Sequence, residues 1–332
     1  MPTIPTEEQL ELGLKIVQDG PGEHHDALDK LGTRIGAMWV FGDERDHVEN
    51  LQKLIETWLA RPGPERPLCV ALFGPPGSGK SFAVKQILAA YAKRVEAKDR
   101  PLWAQAFRTF TLNLTQFEHG HELALALSKI PGRLARGELP VVFFDEFDAP
   151  RGARDLGWLP WFLAPMQDGE WMLDGETRVL RQAIYVFAGG TADTRQDFAK
   201  DGDDAEAIKA ARLAKRNDFL SRLRGTLDIC GPNAEPKILR RALILRHQLE
   251  SYNDTWLGAR DFVRKTLSVD AVRWLLQVGT LEHGARSLGA LLDGCIAKAE
   301  TEELSQEDFA KSALAPLHIG ESQTIEANSP PE

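Results

Sequence analysis

Cysteine is scarce. The 332 residues contain three, Cys69, Cys230 and Cys295, far apart and without metal-ligand spacing. That excludes a disulfide scaffold and a paired-cysteine zinc site, and it suits a reducing compartment. Cys69 sits in an apolar run and reads as a small core residue. No stretch reaches the roughly 20 apolar residues of a membrane helix. The opening Met1-Pro2-Thr3-Ile4-Pro5-Thr6-Glu7-Glu8 is polar, unlike a signal peptide. A cytoplasmic protein without a membrane partner is expected. Positive charge is in deficit, with 40 Lys and Arg against 49 Asp and Glu, a net charge of -9. A global basic footprint for nucleic acid is therefore absent, although a local basic pore stays open. Internal repeats are absent too. The hydrophobic share of 43% is ordinary for a globular chain, and the length allows two domains.

Against this plain background stands Gly74-Pro75-Pro76-Gly77-Ser78-Gly79-Lys80-Ser81, followed by Phe82. The pattern G-x-x-x-x-G-K-S arises by chance in a chain this long on the order of once in a hundred. An apolar run, Leu68 to Phe73, feeds it, and a helix-compatible stretch, Phe82 to Arg94, leaves it. Glycines let successive N–H groups turn inward on a phosphate, and the following helix adds its positive end. Lys80 is then expected on the β/γ-phosphates and Ser81 on Mg²⁺. The alternative is a Gly/Pro-rich surface turn.

Strands alternate with helices around it. Apolar residues at Val48, Leu51, Leu54, Ile55, Trp58 and Leu59 have a helical period. Phe107 to Leu114 alternates with period two, and Glu122 to Ile130 is helical. Pro140 to Phe144 and Ala183 to Ala188 are continuous apolar runs. Such strands between helices imply a parallel sheet covered on both faces. Past Cys230-Gly231-Pro232 only helices are expected, at Ile238–Tyr252, Val269–Val278 and His283–Glu300. The boundaries drawn are a helical extension at 1–35, an αβα domain at 36–230, a helical domain at 231–315 and a disordered tail at 316–332.

The run Val141-Val142-Phe143-Phe144-Asp145-Glu146 ends in acid. A strand-terminal carboxylate can reach Mg²⁺, which fits Asp145. Glu146, one residue on, is a candidate base for an attacking water. The alternative for Glu146 is a solvated strand-end charge. Thr191 closes Phe187-Ala188-Gly189-Gly190-Thr191 and could meet the γ-phosphate, the lytic water or nothing beyond its own turn. Arg222 and Arg224 end a helix; such cations stabilise a transferring phosphoryl group from a neighbouring subunit, or merely complement a helix dipole. Arg286, in Gly284-Ala285-Arg286, starts a helix of the second domain and could swing onto the nucleotide when that domain closes.

This ordered set resembles the AAA+ ATPases over about residues 36–300. Gly74–Ser81 is similar to Walker A and Val141–Glu146 to Walker B with its adjacent glutamate. Thr191 falls at the sensor 1 position, where asparagine is commoner. Arg222 matches the arginine finger, with Arg224 second. Gly284-Ala285-Arg286 is similar to sensor 2 of the Clp/Hsl branch, and Val40-Phe41-Gly42 to the segment flanking adenine there. The resemblance implies a five-stranded αβα P-loop NTPase domain with a small helical lid. It also implies ATP and Mg²⁺ as ligands and a homo-oligomer, most often a hexameric ring, acting on a protein client. The segments Phe143–Asp148, Leu163–Gly169 and Phe187–Thr191 resemble a group of stand-alone bacterial AAA+ ATPases, whose client commonly comes from a neighbouring gene. Two other roles stay open. One is an ATP-gated switch or scaffold with slow hydrolysis in a multi-protein system, a defence-type system included; the other is DNA-directed loading, which the acidic balance disfavours. No substrate-binding domain ahead of the ATPase and no Clp-type docking tripeptide is expected.

The pore loop of threading rings is expected near Thr115–Gly120, where Phe117 is either a gripping residue or a core-facing aromatic. His24-His25-Asp26 and His119-Gly120-His121-Glu122 lack a second ligand cluster and read as solvated histidines. Trp158, Trp161, Phe162 and Met166 read as core or interface packing. Asp201-Gly202-Asp203-Asp204 is an incomplete calcium loop. Lys209, Arg212, Lys215 and Arg216 suggest a basic helix face.

Overall fold

The computed structural model describes residues 6–96, 99–101, 103–130, 137–200, 205–256, 266–300 and 302–320. The chain divides into two compact units, one of Met1–Arg34, Pro76–Ser78 and Cys230–Glu332, the other of Ile35–Pro75 and Gly79–Ile229. Asp201–Asp204 and residues 321–332 of the expected tail lie outside the described residues; a short helix, Ala315–His318, precedes the latter.

The second unit is built on five strands: β1 (Leu68–Phe73), β2 (Ala106–Asn113), β3 (Glu138–Asp145), β4 (Ile184–Ala188) and β5 (Gly225–Asp228). All pairs are parallel and the order is β2-β3-β4-β1-β5. This is the fold class that the apolar runs imply. Every residue of β1 and β4 is buried. Side chains alternate across a strand, so Cys69, Ala71 and Phe73 join one core, with Val142, Phe144, Tyr185 and Phe187. Leu68, Val70 and Leu72 join the other, with Val141, Phe143, Ile184 and Val186. The first core is rich in phenylalanine: Phe144 stacks on Phe187 at 5.0 Å and Phe147 on Phe219 at 5.2 Å. Each such pair contributes about 0.5–1.5 kcal/mol beyond burial. Cys69 is buried, and burial pushes its thiol above the usual range.

Helices Glu44–Leu59, Lys80–Arg94, Gly120–Ser128, Leu159–Asp168 and Arg216–Arg222 cover the sheet unit. Two pairs of strands escaped the sequence reading: Gly32–Ile35, inside the expected helical extension, with Met38–Phe41, and a second pair further on. Glu170–Leu173 and Glu176–Val179 form an antiparallel hairpin around Asp174-Gly175. Both turn residues have positive φ, 50° and 80°, which an Asp-Gly dipeptide tolerates. Trp171 buries against Gly120–Ser128 and donates to the Ala124 carbonyl at 3.2 Å.

In the first unit, helix Thr6–Asp19 packs on Lys237–Trp256. Gly13 permits the approach, since a Cβ there would lie 3.1 Å from Leu276 and 3.2 Å from Ile238. Arg246 donates to the carbonyls of Val17 and Gln18 at 3.0 and 3.1 Å, closing that helix. Arg241 is the polar centre of the unit. It is 1% exposed and donates to Pro232, Leu276, Val278 and Gly279 carbonyls and to Asn233 Oδ1. Burial lowers its pKa to about 10, with Glu235 opposing, so it stays charged at neutral pH. Arg241→Met keeps the stem and orphans those carbonyls, so stability should fall by about 3 kcal/mol or more. Urea unfolding followed by fluorescence would register it; an unchanged midpoint would discount the role. Among the described residues no helix is long and apolar enough to cross a membrane.

Candidate functional site

The register sets the site. Phe73 pairs with Asp228, Leu72 with Ala188, Ala188 with Asp145 and Asp145 with Asn113. Every strand thus ends at one edge, and crevices outside the carboxyl ends of parallel strands are where such sheets bind ligands. The glycine-rich loop leaves β1 at this edge. Gly77 and Gly79 have φ of 73° and 94°. No atom lies within 4 Å of a Cβ built at Gly79, so the requirement there is backbone conformation. Gly79 opens the 15-residue helix Lys80–Arg94 without a side-chain cap, leaving that N-terminus suited to an anion. Lys80 Nζ donates to the carbonyls of Gly74 and Pro75 at 2.6 and 3.1 Å. Ser81 and Phe82 are half-buried in the first turn. Ser78 Oγ is buried with no hydrogen-bond partner.

Backbone bonds join the loop to the other strand ends. Gly74 N–H donates to Ala192 at 3.3 Å, Gly189 N–H to Leu72 at 3.2 Å and Phe147 N–H to Ala188 at 3.4 Å. Asp145 ends β3, two strand spacings, about 10 Å, from β1. Glu146 has φ of 54°, a left-handed conformation that costs a non-glycine residue about 1 kcal/mol or more. Its carboxylate lies over Gly190, where a Cβ would come within 2.6 Å of Oε2. Thr191 follows directly, so Lys80, Asp145, Glu146 and Thr191 share one edge of one unit.

The sequence reading missed Asp148. It is 2% exposed, and its carboxylate accepts from the N–H groups of Gly190 and Thr191 and from the Thr191 hydroxyl. A second acid three residues after Asp145 was the only signal. Gln86 was missed as well. Its Oε1 accepts from Ala37 N–H at 2.8 Å, tying the turn before strand Met38–Phe41 to the phosphate-loop helix. Val40 and Phe41 are buried on that strand, and Gly42 ends it with φ of 61°.

The double glycine makes a graded prediction. A Cβ at Gly190 meets only the end of the flexible Glu146 side chain, whereas one at Gly189 meets Asp148 Oδ2 at 2.7 Å and the buried Phe147 ring at 2.8 Å. Gly190→Ala should therefore leave the melting temperature nearly unchanged and displace Glu146. Gly189→Ala should lower stability by about 1–3 kcal/mol. Thermal unfolding of both variants checks the contrast; equal losses would refute it.

Arg222 lies elsewhere. Its Nη1 donates to the Asp218 carbonyl at 2.7 Å, and it lines a groove of about 1090 Å³ with Arg61, Arg66 and Arg224. Arg224 N–H donates to Cys69 at 2.8 Å, near the start of β1. From Cys69 to Gly74 the strand advances about 16 Å at 3.3 Å per residue. Arg222 and Arg224 are thus at the amino edge of the sheet, not with Lys80. Arg286 is exposed on helix Ala285–Cys295 in the first unit, where Ala285 N–H donates to the Gly77 carbonyl at 3.0 Å.

Other expectations resolve simply. Trp158, Phe162 and Met166 are core, while Trp161 and Phe117 are half-buried against it. His24 faces Asp19, and His121 faces Asp174 at 3.0 Å. No group of three metal-ligating side chains occurs among the described residues. Arg216 leaves the basic face: it is buried and donates to the Ala199 carbonyl.

Sheet order and loop geometry define a P-loop αβα domain. Residues 70–158 match the family model described as ATPase family associated with various cellular activities (AAA). That match covers the phosphate loop and the acidic strand end of the sheet unit. It is 29% identical over 153 residues to a proteasome-associated ATPase of Rhodococcus jostii (strain RHA1), an alignment spanning 43% of this chain and 24% of that protein. Among solved structures it is similar to NtrX from Brucella abortus in complex with ADP, at TM-score 0.53 and 10% identity over 92% of this chain and 60% of that one. The ATP complex of NtrX gives TM-score 0.53 and 11% identity, over 97% and 64%. These similarities concern the fold.

Proposed function

We propose that this protein is a Mg²⁺-dependent ATP hydrolase that works as an oligomer to remodel or regulate a macromolecular partner. The observation that carries the reading is the convergence of Lys80, Asp145, Glu146 and Thr191 at the carboxyl edge of the sheet. The residues fit the ligands. The uncapped helix end and the buried, unbonded Ser78 hydroxyl suit phosphate oxygens, and Ser81 with Asp145 is an all-oxygen donor pair of the kind Mg²⁺ takes alongside phosphates. Bound there, the ion would screen charge on the phosphates. Lys80 would exchange its carbonyl partners for β/γ-phosphate oxygens. Glu146 would take a proton from the attacking water. Val40, Phe41 and Gly42 would flank the base. Arg222 would serve the site of an adjacent copy, since its own site lies across the sheet, and Arg286 would respond to nucleotide from the lid. ATP and ADP appear in the complexes of NtrX, which supports the nucleotide reading.

A ring, a hexamer above all, and a client from a neighbouring gene belong to the same proposal. The half-buried packing of Phe117 favours a second version, in which ATP gates an assembly and hydrolysis is slow timing. Fast or client-stimulated turnover supports remodelling; near-zero turnover with ATP-dependent oligomerisation supports the switch. Calorimetry with MgATP tests the common core. Lys80→Ala should weaken binding by about 100-fold, equivalent to about 2.7 kcal/mol. Absence of any nucleoside triphosphate affinity in folded wild-type protein would end the reading.

A further inference from the structure

The Thr191 hydroxyl has one proton, and that proton is already used. It is donated to Asp148 Oδ2. The same carboxylate accepts from Thr191 N–H at 2.9 Å and from Gly190 N–H at 3.1 Å with both oxygens. Asp148 is 2% exposed, so these charge-assisted bonds are shielded from water. A threonine in this state offers only lone pairs, and donation to a carboxylate polarises its oxygen into a better acceptor. It cannot donate to a phosphate oxygen without leaving Asp148. One residue earlier in the same turn, Gly190 lies beneath the Glu146 carboxylate. Two acceptors, Glu146 Oε2 and Thr191 Oγ1, therefore flank one short turn.

We propose that Asp148 is a positioning residue that holds Thr191 as a hydrogen-bond acceptor for the attacking water, so that Glu146 and Thr191 orient its two protons. The inference rests on the hydrolase reading above. A water donating to both acceptors has a lone pair left for phosphorus. As its oxygen bonds to the γ-phosphorus, the bond from that phosphorus to the β–γ bridging oxygen breaks, and the electron pair leaves on the diphosphate. One water proton passes to Glu146 and then to the phosphate product; Thr191 takes none. Thr191 thus reads the water, not the γ-phosphate.

The two roles differ in nucleotide discrimination. Loss of a γ-phosphate donor weakens ATP binding and spares ADP. Loss of a water acceptor spares both and lowers kcat. Full-length wild type, Thr191→Val, Thr191→Ser, Asp148→Asn and the double variant Asp148→Asn with Thr191→Val would be compared by MgATP and MgADP calorimetry and single-turnover hydrolysis. Thr191→Val is expected to lose about 10- to 100-fold in turnover, the range for a misplaced reactant, with both affinities kept. Thr191→Ser should recover most of that loss. Asp148→Asn should slow turnover in wild type and add little in the Thr191→Val background. A selective loss of ATP affinity in Thr191→Val, or additive losses in the double variant, overturns the proposal. If Asp148→Asn fails to fold by circular dichroism, the Val and Ser variants decide alone. Glu146→Gln is the separate control: normal turnover in that variant, or none in wild type, removes the hydrolase reading itself, whereas an inactive Glu146→Gln beside an ATP-selective defect in Thr191→Val sinks only the assignment to water.

Discussion

Glu146→Gln is expected to bind MgATP with near wild-type affinity and to hydrolyse it at least about 100-fold more slowly, the contribution of a positioned general base. The amide matches the carboxylate in size, so the left-handed backbone at 146 and the contact over Gly190 survive. Only basicity is lost. Calorimetry beside a phosphate-release assay separates the two effects. Full turnover would remove Glu146 from the chemistry and leave it as a strand-end charge. The trapped ATP state would also be the one in which to weigh the proposed assembly, because the bound triphosphate then persists.

Arg222→Ala should lose turnover only as an assembled protein. Arg222 lines a groove with Pro67 and Leu68 at the start of β1, whereas the phosphate loop leaves the end of that strand. On the proposed reading it acts on another copy, and an arginine supplied in trans is worth about 10³- to 10⁵-fold in known phosphoryl-transfer enzymes. Mixing Arg222→Ala with Lys80→Ala is the decisive measurement. Each lacks a different half of a shared site, so mixed assemblies should recover part of the activity that neither has alone. Normal turnover by assembled Arg222→Ala, with Arg224→Ala inactive, would transfer the role to Arg224. Normal turnover by both would abolish the trans arrangement.

Much of the fold was legible before any coordinates. Leu68–Phe73, Val141–Phe144 and Ile184–Ala188 are apolar throughout because both faces of a covered parallel sheet are dry, and each is a strand. The phosphate loop was legible because its glycines are demanded by backbone conformation, with positive φ at Gly74, Gly77 and Gly79. The hairpin at Glu170–Val179 was not, because its strands are four residues each and Glu176–Val179 is exposed throughout, so neither carries an apolar run. Arg216 read as a surface cation from its neighbours Lys209, Arg212 and Lys215, yet helical period alone does not say which side faces the core.

By itself the chain determined what is local: the glycine-rich turn, the strand-end acids Asp145 and Glu146, and the alternation that sorts Cys69, Ala71 and Phe73 from Leu68, Val70 and Leu72. Those follow from periodicity and from residue types with few conformational options. Only tertiary structure decided which edge of the sheet each group joins, that Asp148 accepts the hydrogen bond of the Thr191 hydroxyl, and that Gln86 anchors Ala37. These depend on strand order and on hydrogen bonds between residues about 40 to 50 positions apart, and a single side chain carries no mark of its distant partner.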